Sequence, residues 1–300
     1  MLYGSYVCSS MITCVTKTSS DLSRSPLLPA LITVGSGLSL YTGAAIAVGL
    51  FAVLPPAIVA WLRVAFAGAI MAVLFRPSWD TFFGDKITLA AAYGASMIFM
   101  NICFYNAIES IPLGTAVAIE FVGPIVVGAL TSKTLKHAAA LVLAAVGVLL
   151  ISGVQWTDNA VGVLYALGAA AGWGVYIWVG LKLSRRVESH KQTQKLLAAG
   201  LLYGAFFALP VVWWVFPDKV AMDPAMVVGL AAGLAVLSTV VPSSLDIIAM
   251  RLSTPSLYAV LSALMPLVAT VCGAVILGQF LTVVEMVGVV AVIVAVLVRR

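Results

Sequence analysis

The sequence predicts an all-α polytopic membrane protein, with ten transmembrane helices in two inverted five-helix repeats and cytoplasmic N- and C-termini. Three observations predict this class: the composition, the spacing of apolar segments, and the distribution of Lys and Arg. Of the 300 residues, 63% are hydrophobic and 9% are charged, whereas a soluble domain has about 45–50% apolar and about 25% charged residues. This composition excludes a soluble enzyme, a nucleic-acid-binding domain and a secreted disulfide scaffold.

Ten apolar segments are separated by charged residues, prolines and glycines, and most approach the about 20 residues that a membrane-spanning helix needs. In order, they are 28–53, 57–75, 87–107, 113–131, 137–153, 160–181, 195–215, 225–249, 256–277 and 283–298. Several connections contain only a few residues, so consecutive helices are expected to be antiparallel neighbours. Residues 1–27 are polar and rich in Ser and Thr, and we expect them to form a cytoplasmic N-terminal tail.

The basic residues predict the orientation, because loops rich in Lys and Arg stay on the cytoplasmic side. With the N-terminus inside, fourteen of the sixteen Lys and Arg residues lie in cytoplasmic segments. One, Lys219, lies in an outer loop, and Arg63 lies within a span. A missed helix would scramble this asymmetry, so it supports ten helices with both ends inside.

A weak internal similarity divides the chain into two halves, 28–153 and 160–298. Residues 134–140 parallel residues 282–288, because each stretch opens a short apolar span after a helix with an internal proline. Each half has five predicted helices, and an odd number makes the second half enter the membrane from the opposite side. Inverted repeats of this kind are common in secondary transporters, although a generic series of Val- and Ala-rich spans would look similar.

Arg63 and Glu120 are ionisable residues within predicted spans, where each charge costs roughly 2.5–3.5 kcal/mol and needs a reason. Counted along their helices, both lie about 10 Å below the outer end, and Asn101 lies at a similar depth. One interpretation is a polar cavity in which Glu120 binds a proton or a substrate amine and Arg63 clamps a carboxylate. An amino-acid zwitterion would satisfy both charges. The other interpretation is a structural Arg63–Glu120 ion pair that locks helices together.

Three prolines interrupt predicted spans, and each removes a backbone donor and can bend its helix. Pro124, Pro242 and Pro266 are therefore either hinges or tolerated kinks. Hydroxyl groups near Pro242 can bond to the backbone groups that this proline frees; they belong to Ser238, Thr239, Ser243 and Ser244. Asp246 lies near the inner end of the same span, and we expect it to act in gating or in anchoring at the interface.

Trp173 and Tyr176 share one face of the sixth span at i, i+3, where their N–H and O–H groups need partners. They either line the substrate pathway or pack the core. The two histidines, His137 and His190, lie beside lysines in or near predicted cytoplasmic loops, so we expect no metal site. No nucleotide-binding glycine loop or clustered catalytic motif is present. We therefore expect no cofactor and no enzymatic activity, and transport would have to use an existing gradient or a partner ATPase.

Four motifs carry a resemblance to a known family. The most specific of them comprises residues 105–108, with the sequence YNAI, and residues 111–124, with the sequence IPLGTAVAIEFVGP. The others are Leu62-Arg63, the AGWGVY of 171–176, and Leu237-Ser238-Thr239 followed by Pro242 and Asp246. Over residues 28–298 the chain resembles the drug/metabolite transporter superfamily, and within it the EamA family and its RhtA-type threonine/homoserine exporters.

The resemblance implies ten helices in two inverted halves around a central cavity, in a cell inner membrane. It also implies a secondary transporter that exports small amino acids or related metabolites by alternating access, in exchange for protons. The expected partners are a small-molecule substrate, protons and membrane lipid, without nucleic acid, and the oligomeric state stays open. Two departures bear on the substrate and the coupling ion, because Gln279 and Met265 stand where relatives carry acids. The alternatives are an exporter of another metabolite or drug, and a membrane scaffold or sensor that transports nothing.

Overall fold

The computed structural model describes residues 27–84, 87–131, 135–184, 190–217, 222–252, 261 and 264–298. Within these ranges the chain is helical and contains no strand, which confirms the predicted all-α class. The tail predicted for residues 1–27 lies outside the described residues except for Leu27, where the first helix begins.

The helices up to the middle of the chain are α1 (Leu27–Leu50), α2 (Pro56–Phe75), α3 (Trp79–Phe83), α4 (Ile87–Ser110), α5 (Leu113–Glu120), α6 (Val122–Thr131) and α7 (Leu135–Ser184). Those that follow are α8 (His190–Phe207), α9 (Leu209–Val215), α10 (Pro224–Ala235), α11 (Val241–Leu252), α12 (Met265–Leu277) and α13 (Val283–Val298). A π-helical turn, Val236–Val240, joins α10 to α11.

The described helices include several that can cross a membrane. Five segments are long and apolar enough by themselves. They are Leu27–Leu50, Pro56–Phe75, Ile87–Ser110, Asn159–Val179 and Pro224–Leu245. A sixth span forms if α8 and α9 cross together, with a bend of 42° just before Pro210 that the sequence analysis did not predict. Shorter apolar helices include Met265–Leu277 and Val283–Ala295. The chain is therefore a multi-pass membrane protein, and ten spans remain a prediction.

Helix α7 joins the two halves of the chain. The connection expected between residues 153 and 160 is helical instead, and within it Asn159 departs from helical geometry with φ −153° and ψ 69°. Its Nδ2 donates to the Ser110 carbonyl oxygen at 3.1 Å, and its Oδ1 accepts from the Gly162 N–H at 3.1 Å. Asn159 thus caps the helix that follows, a role for which asparagine is well suited. Two antiparallel spans were expected here, and the chain changes direction at this one residue.

Two of the candidate hinge prolines lie close to helix starts. Helix α5 ends at Glu120 and α6 begins at Val122, two residues before Pro124. Helix α12 begins at Met265, so Pro266 falls in its first turn. A proline in the first turn loses no intrahelical hydrogen bond, because that N–H would have no partner in the helix. For Pro124 the interruption is small, because the Phe121 N–H still donates to the Val117 carbonyl oxygen and Leu113–Val127 forms one apolar helix. The assignment of Pro124 and Pro266 as hinges or as tolerated kinks stays a prediction.

Helices from the two halves of the chain pack closely against one another. Helix α2 packs on α8, α5 packs on α12, and the N-terminal part of α7 packs on α13. Helix α4 packs on the C-terminal part of α7, and α11 packs on α1. The two halves therefore pack against each other along most of their helices, and residues from both halves enclose the space between them.

Glycines allow the closest of these approaches. At the crossing of α4 and α8, a Cβ added at Gly94 would overlap the carbonyl oxygen of Gly200 and would lie 2.8 Å from the Gly204 nitrogen. Membrane helices commonly use small residues in this way, because there is little hydrophobic driving force between helices in lipid. The crossing is thus fixed by backbone contact, with no space for a larger residue.

Replacing Gly94 by Ala is expected to lower the free energy of unfolding by about 1–3 kcal/mol, the usual cost of overpacking a tight contact. Thermal unfolding of the detergent-solubilised protein would measure the change. The matched control is Gly229→Ala in α10, where an added Cβ meets nothing within 4 Å. An unchanged melting temperature for Gly94→Ala would show that α4 and α8 do not approach this closely.

Candidate functional site

A cavity of about 190 Å³ lies between helices of both halves, with walls from α1, α2, α4, α5, the C-terminal part of α7 and the segment around Pro242. Much of its wall is apolar. The sequence-predicted residues that line it are Arg63, Asn101, Glu120, Trp173, Tyr176 and Pro242. Ser238, Thr239 and Ser243 also line it. The structure therefore brings together most of the polar and aromatic residues that sequence analysis selected from five separate spans.

Arg63 is buried in α2, with 6% of its surface exposed, and its guanidinium donates to groups on other helices. Nη2 donates to the Ser238 carbonyl oxygen at 2.6 Å, and Nε donates to Thr239 Oγ1 at 3.0 Å. Nη1 donates to the Tyr105 hydroxyl at 3.4 Å, and the guanidinium carbon lies 5.6 Å from the centre of that ring. The charge is thus held by one neutral group from α4 and two from the π-helical turn.

The position of the Arg63–Ser238 bond follows from Pro242. In regular α-helix the N–H of residue 242 would bond to the carbonyl of residue 238, but proline has no N–H. The turn widens to a π-helix here, with the Val241 N–H donating to the Val236 carbonyl oxygen. The Ser238 carbonyl oxygen is therefore free to accept a hydrogen bond from Arg63, which lies in the other half of the chain. π-Helical turns of this kind are frequent at functional sites.

The hydroxyl groups near Pro242 act partly as expected. Ser243 Oγ donates to the Thr239 carbonyl oxygen and Ser244 Oγ to the Val240 carbonyl oxygen, at 2.6 and 2.7 Å. Ser238 Oγ instead donates one turn back, to the Leu234 carbonyl oxygen at 2.6 Å. The group that Pro242 frees most directly, the Ser238 carbonyl, is bonded by Arg63 and not by a hydroxyl. The side chain of Asp246 lies outside the described residues.

Glu120, at the C-terminal end of α5, is 9% exposed and faces the same cavity. Within the described part of the chain its carboxylate makes no hydrogen bond and no ion pair. Its interaction with Arg63 is electrostatic and acts over a longer distance. The direct Arg63–Glu120 ion pair considered from the sequence is therefore not formed between these two residues. Burying a carboxylate without a direct partner costs free energy. A cationic group of a ligand in the cavity could supply that partner to Glu120.

Asn101 and the two aromatic residues complete the wall. Asn101 Nδ2 donates to the Met97 carbonyl oxygen within α4 at 2.8 Å, and the residue is almost fully buried. Trp173 packs edge to face on Phe121, with ring centres 4.8 Å apart. The Tyr93 hydroxyl donates to the Tyr176 hydroxyl, and their ring centres are 4.5 Å apart. The Tyr93–Tyr176 contact links α4 to the C-terminal part of α7 beside the cavity.

Two buried tyrosines near the site were missed by the sequence analysis. Tyr93 pairs with Tyr176, and Tyr105 supports Arg63. The signal was present for Tyr105, because Asn101 and Tyr105 are spaced i, i+4 and therefore share a face of α4. Both tyrosines are buried, so α4 presents one hydroxyl to Arg63 of α2 and one to Tyr176 in the second half of the chain.

The two positions that depart from the family pattern have structural contacts of their own. Gln279 Oε1 accepts a hydrogen bond from the Leu113 N–H, at 3.0 Å, and so caps the first turn of α5. Met265 is buried in α12, and its sulfur would lie 2.8 Å from a Cβ added at Gly37 of α1. Gln279 keeps the acceptor that an acid would supply, without the charge. Met265 replaces an acid by a packing contact.

Glu285 is a second buried carboxylate that the sequence analysis did not single out, with 2% of its surface exposed. Its Oε2 accepts from the N–H and the hydroxyl of Thr282, both at 2.8 Å, and the Glu285 N–H donates to Thr282 Oγ1 at 3.3 Å. This is a capping box, whose signal is the Thr-x-x-Glu spacing. Glu285 therefore caps α13, and Thr115 Oγ1 of α5 donates to it at 3.4 Å. In the described ranges no three His, Cys, Asp or Glu side chains are grouped as a metal site would need.

Comparisons with known proteins agree with these observations. Residues 160–299 match the EamA-like transporter family. The threonine/homoserine exporter RhtA of Salmonella typhimurium strain SL1344 is 33% identical over 272 residues, which cover 89% of this chain and 90% of that protein. The chain belongs to the EamA-like transporter family. The RhtA exporter of Escherichia coli strain K12 is 32% identical over the same shares of both chains.

A solved structure shares the fold of this EamA-like protein. It has a TM-score of 0.60 and 15% identity, and the match covers 91% of this chain and 97% of the other. At that identity the likeness concerns the fold alone. Family membership makes the protein a transporter rather than an enzyme. The cavity between its two halves is therefore a candidate substrate site.

Proposed function

We propose that this EamA-like protein is a secondary transporter that exports small amino acids of the threonine or homoserine type across the inner membrane in exchange for protons. One observation carries the proposal. Arg63 and Glu120, both buried, face a single cavity of about 190 Å³ without forming an ion pair with each other. A positive and a negative group that share a cavity in this way match the two ends of an amino-acid zwitterion.

The chemistry of the site supports this choice of ligand. The planar guanidinium of Arg63 suits a carboxylate, because its fork can donate to two oxygens at once. Glu120 can accept hydrogen bonds from an ammonium group. Hydroxyl groups of Thr239 and Ser243 lie on the same wall and can bond to a hydroxyl on the substrate side chain. Threonine and homoserine carry all three groups, and the two relatives are named as their exporters.

The volume of the cavity favours a small metabolite over a drug. Sites for drug-sized ligands typically enclose about 300–1,000 Å³, and this cavity has about 190 Å³. The two ionisable residues in its wall, Arg63 and Glu120, also favour a polar substrate. The alternative of a drug exporter therefore has less support from the geometry of the site.

The helix contacts support ten spans in two inverted halves. In two inverted five-helix halves, equivalent spans differ by five in number, and the count returns to the first span after the tenth. We take α4 as the third span, the C-terminal part of α7 as the sixth, and α11 as part of the eighth. The contact between the third and sixth spans, α4 with α7, then corresponds to the contact between the eighth and first spans, α11 with α1. The contacts of α2 with α8 and of α5 with α12 map onto themselves in the same way. Together with the Lys and Arg distribution, ten spans would put both termini in the cytoplasm. Alternating access would then rock the halves around the cavity.

Liposomes that contain the purified protein and labelled threonine would test the proposal. We expect threonine and homoserine to leave these liposomes several-fold faster when the outside is acidic, and a protonophore to remove the effect. An aromatic amino acid and a drug-sized cation serve as comparison substrates. Transport of the cation but not of threonine would favour the drug exporter. A folded protein that moves none of them would contradict transport of these substrates and favour a scaffold or sensor.

A further inference from the structure

A second cavity, larger than the central one, is a groove on the surface of the helix bundle, between α6 and the C-terminal part of α7. It has a volume of about 630 Å³ and is lined by apolar residues, among them Val122, Val126, Leu167, Ala171 and Trp178. The groove exists because the two helices cross closely, since a Cβ at Gly123 would overlap the Ala170 carbonyl oxygen. It is distinct from the central cavity, because none of its lining residues lines that site.

One end of this groove carries a positive charge. Trp178 lines the groove and is 52% exposed, and the Lys182 Nζ lies 3.3 Å from the centre of its ring. Lys182 is itself exposed. Three and four residues further on the sequence has Arg185 and Arg186, which lie outside the described residues. An apolar groove thus ends at the cation of Lys182.

We propose that this groove binds one anionic phospholipid, with an acyl chain along α6 and α7 and the headgroup phosphate at Lys182. Val175 and Trp178 of the groove are about half exposed on the surface of the helix bundle, where a membrane protein meets hydrocarbon, and the charge of Lys182 at its rim is complementary to a phosphate. The proposal rests on the topology given under the proposed function, which places Lys182 at the cytoplasmic leaflet. Basic sites between transmembrane helices on that side recognise anionic headgroups.

The groove is connected to the wall of the transport site through two aromatic residues. Phe121 and Trp173 directly precede groove residues Val122 and Gly174, and they pack edge to face at 4.8 Å. Trp173 also lines the central cavity. An acyl chain in the groove therefore supports the α6–α7 contact from the side opposite to the substrate. This makes the lipid a structural partner of the site and not merely part of the surrounding bilayer.

Native mass spectrometry of the full-length protein, with phosphatidylglycerol or phosphatidylcholine of matched acyl chains, would test this proposal. We expect phosphatidylglycerol to be retained at lower lipid concentration. Lys182→Gln should weaken its binding about fivefold, which corresponds to about 1 kcal/mol for one cation at the membrane surface, and should leave phosphatidylcholine unchanged. Ala171→Phe fills the groove and should weaken the binding of both lipids.

Matched controls separate the groove from the rest of the surface. Lys195→Gln removes one charge from α8, and Val275→Phe adds a bulky residue to an exposed position of α12; neither should change lipid retention. Equal retention of the two lipids by the unmodified protein would overturn the proposal, as would unchanged binding in either groove variant. The measurement uses neither substrate nor gradient, so a failure of the proposed transport would leave its result interpretable.

Discussion

Replacing Glu120 by Gln is expected to abolish gradient-driven export of threonine by the reconstituted protein. The amide has nearly the same size, but it carries no charge for a substrate ammonium and takes up no proton. A hydrogen bond to a charged group is worth about 1.5–3 kcal/mol, so the affinity for threonine should fall roughly tenfold to a hundredfold. Because the proposed proton carrier is also lost, an imposed pH gradient should no longer increase the remaining flux.

The matched control for this experiment is Glu109→Gln. Glu109 lies at the C-terminal end of α4 and is exposed, so its neutralisation should leave export unchanged. Thermal unfolding of each variant separates a transport defect from a folding defect, and Glu120→Asp shows whether a carboxylate one carbon shorter still supports flux. Full gradient-driven export by a folded Glu120→Gln protein would remove Glu120 from both proposed roles.

The polar site could be anticipated because depth in a membrane helix is readable from the sequence. Each residue advances the chain by 1.5 Å, so counting from the outer ends placed Arg63, Asn101 and Glu120 at one level. The structure brings these three to one cavity. Their charge and polarity made them stand out, since almost every neighbour along their spans is apolar.

Contacts between the halves could not be anticipated in the same way. From Pro242 one could predict that the Ser238 carbonyl loses its helical hydrogen-bond donor. That Arg63 is the donor that replaces it follows only from the packing of α2 against the π-helical turn. The rotation of a helix about its axis is fixed by its neighbours and not by its own sequence. For the same reason the sequence left open whether Arg63 and Glu120 pair directly, and the structure shows them apart.

The polar residues at 157–159 had a different outcome. A short run of polar residues between two apolar segments normally predicts a loop. Here α7 consists of two helical parts that meet at Asn159, and the capping bond of this residue begins the second part without a longer loop. A side chain that accepts a hydrogen bond from an N–H in the first turn allows the second helix to begin after a single non-helical residue. The sequence alone does not distinguish this arrangement from a longer loop.

Arg63 has two separable roles, and the second main prediction distinguishes them. Arg63→Gln should lower the free energy of unfolding by about 1–3 kcal/mol, because the buried Ser238 carbonyl loses its donor. Pro242→Ala supplies an N–H at the position that normally bonds to this carbonyl. The cost of Arg63→Gln should therefore be smaller in the Pro242→Ala protein. Unfolding measurements on the four proteins of this double-mutant cycle would give the coupling, which we expect to be about 1–2 kcal/mol.

The same four proteins report on the substrate. If Arg63 binds the substrate carboxylate, restoring stability with Pro242→Ala should not restore export in the Arg63→Gln background. The unmodified protein should prefer threonine over threonine amide, which lacks the negative charge, by about tenfold or more, as expected for a charged hydrogen bond. The double variant should lose that preference. If it is as stable as the Pro242→Ala protein and still prefers threonine, Arg63 serves only to hold α2 against the π-helical turn, and the carboxylate must bind elsewhere in the cavity.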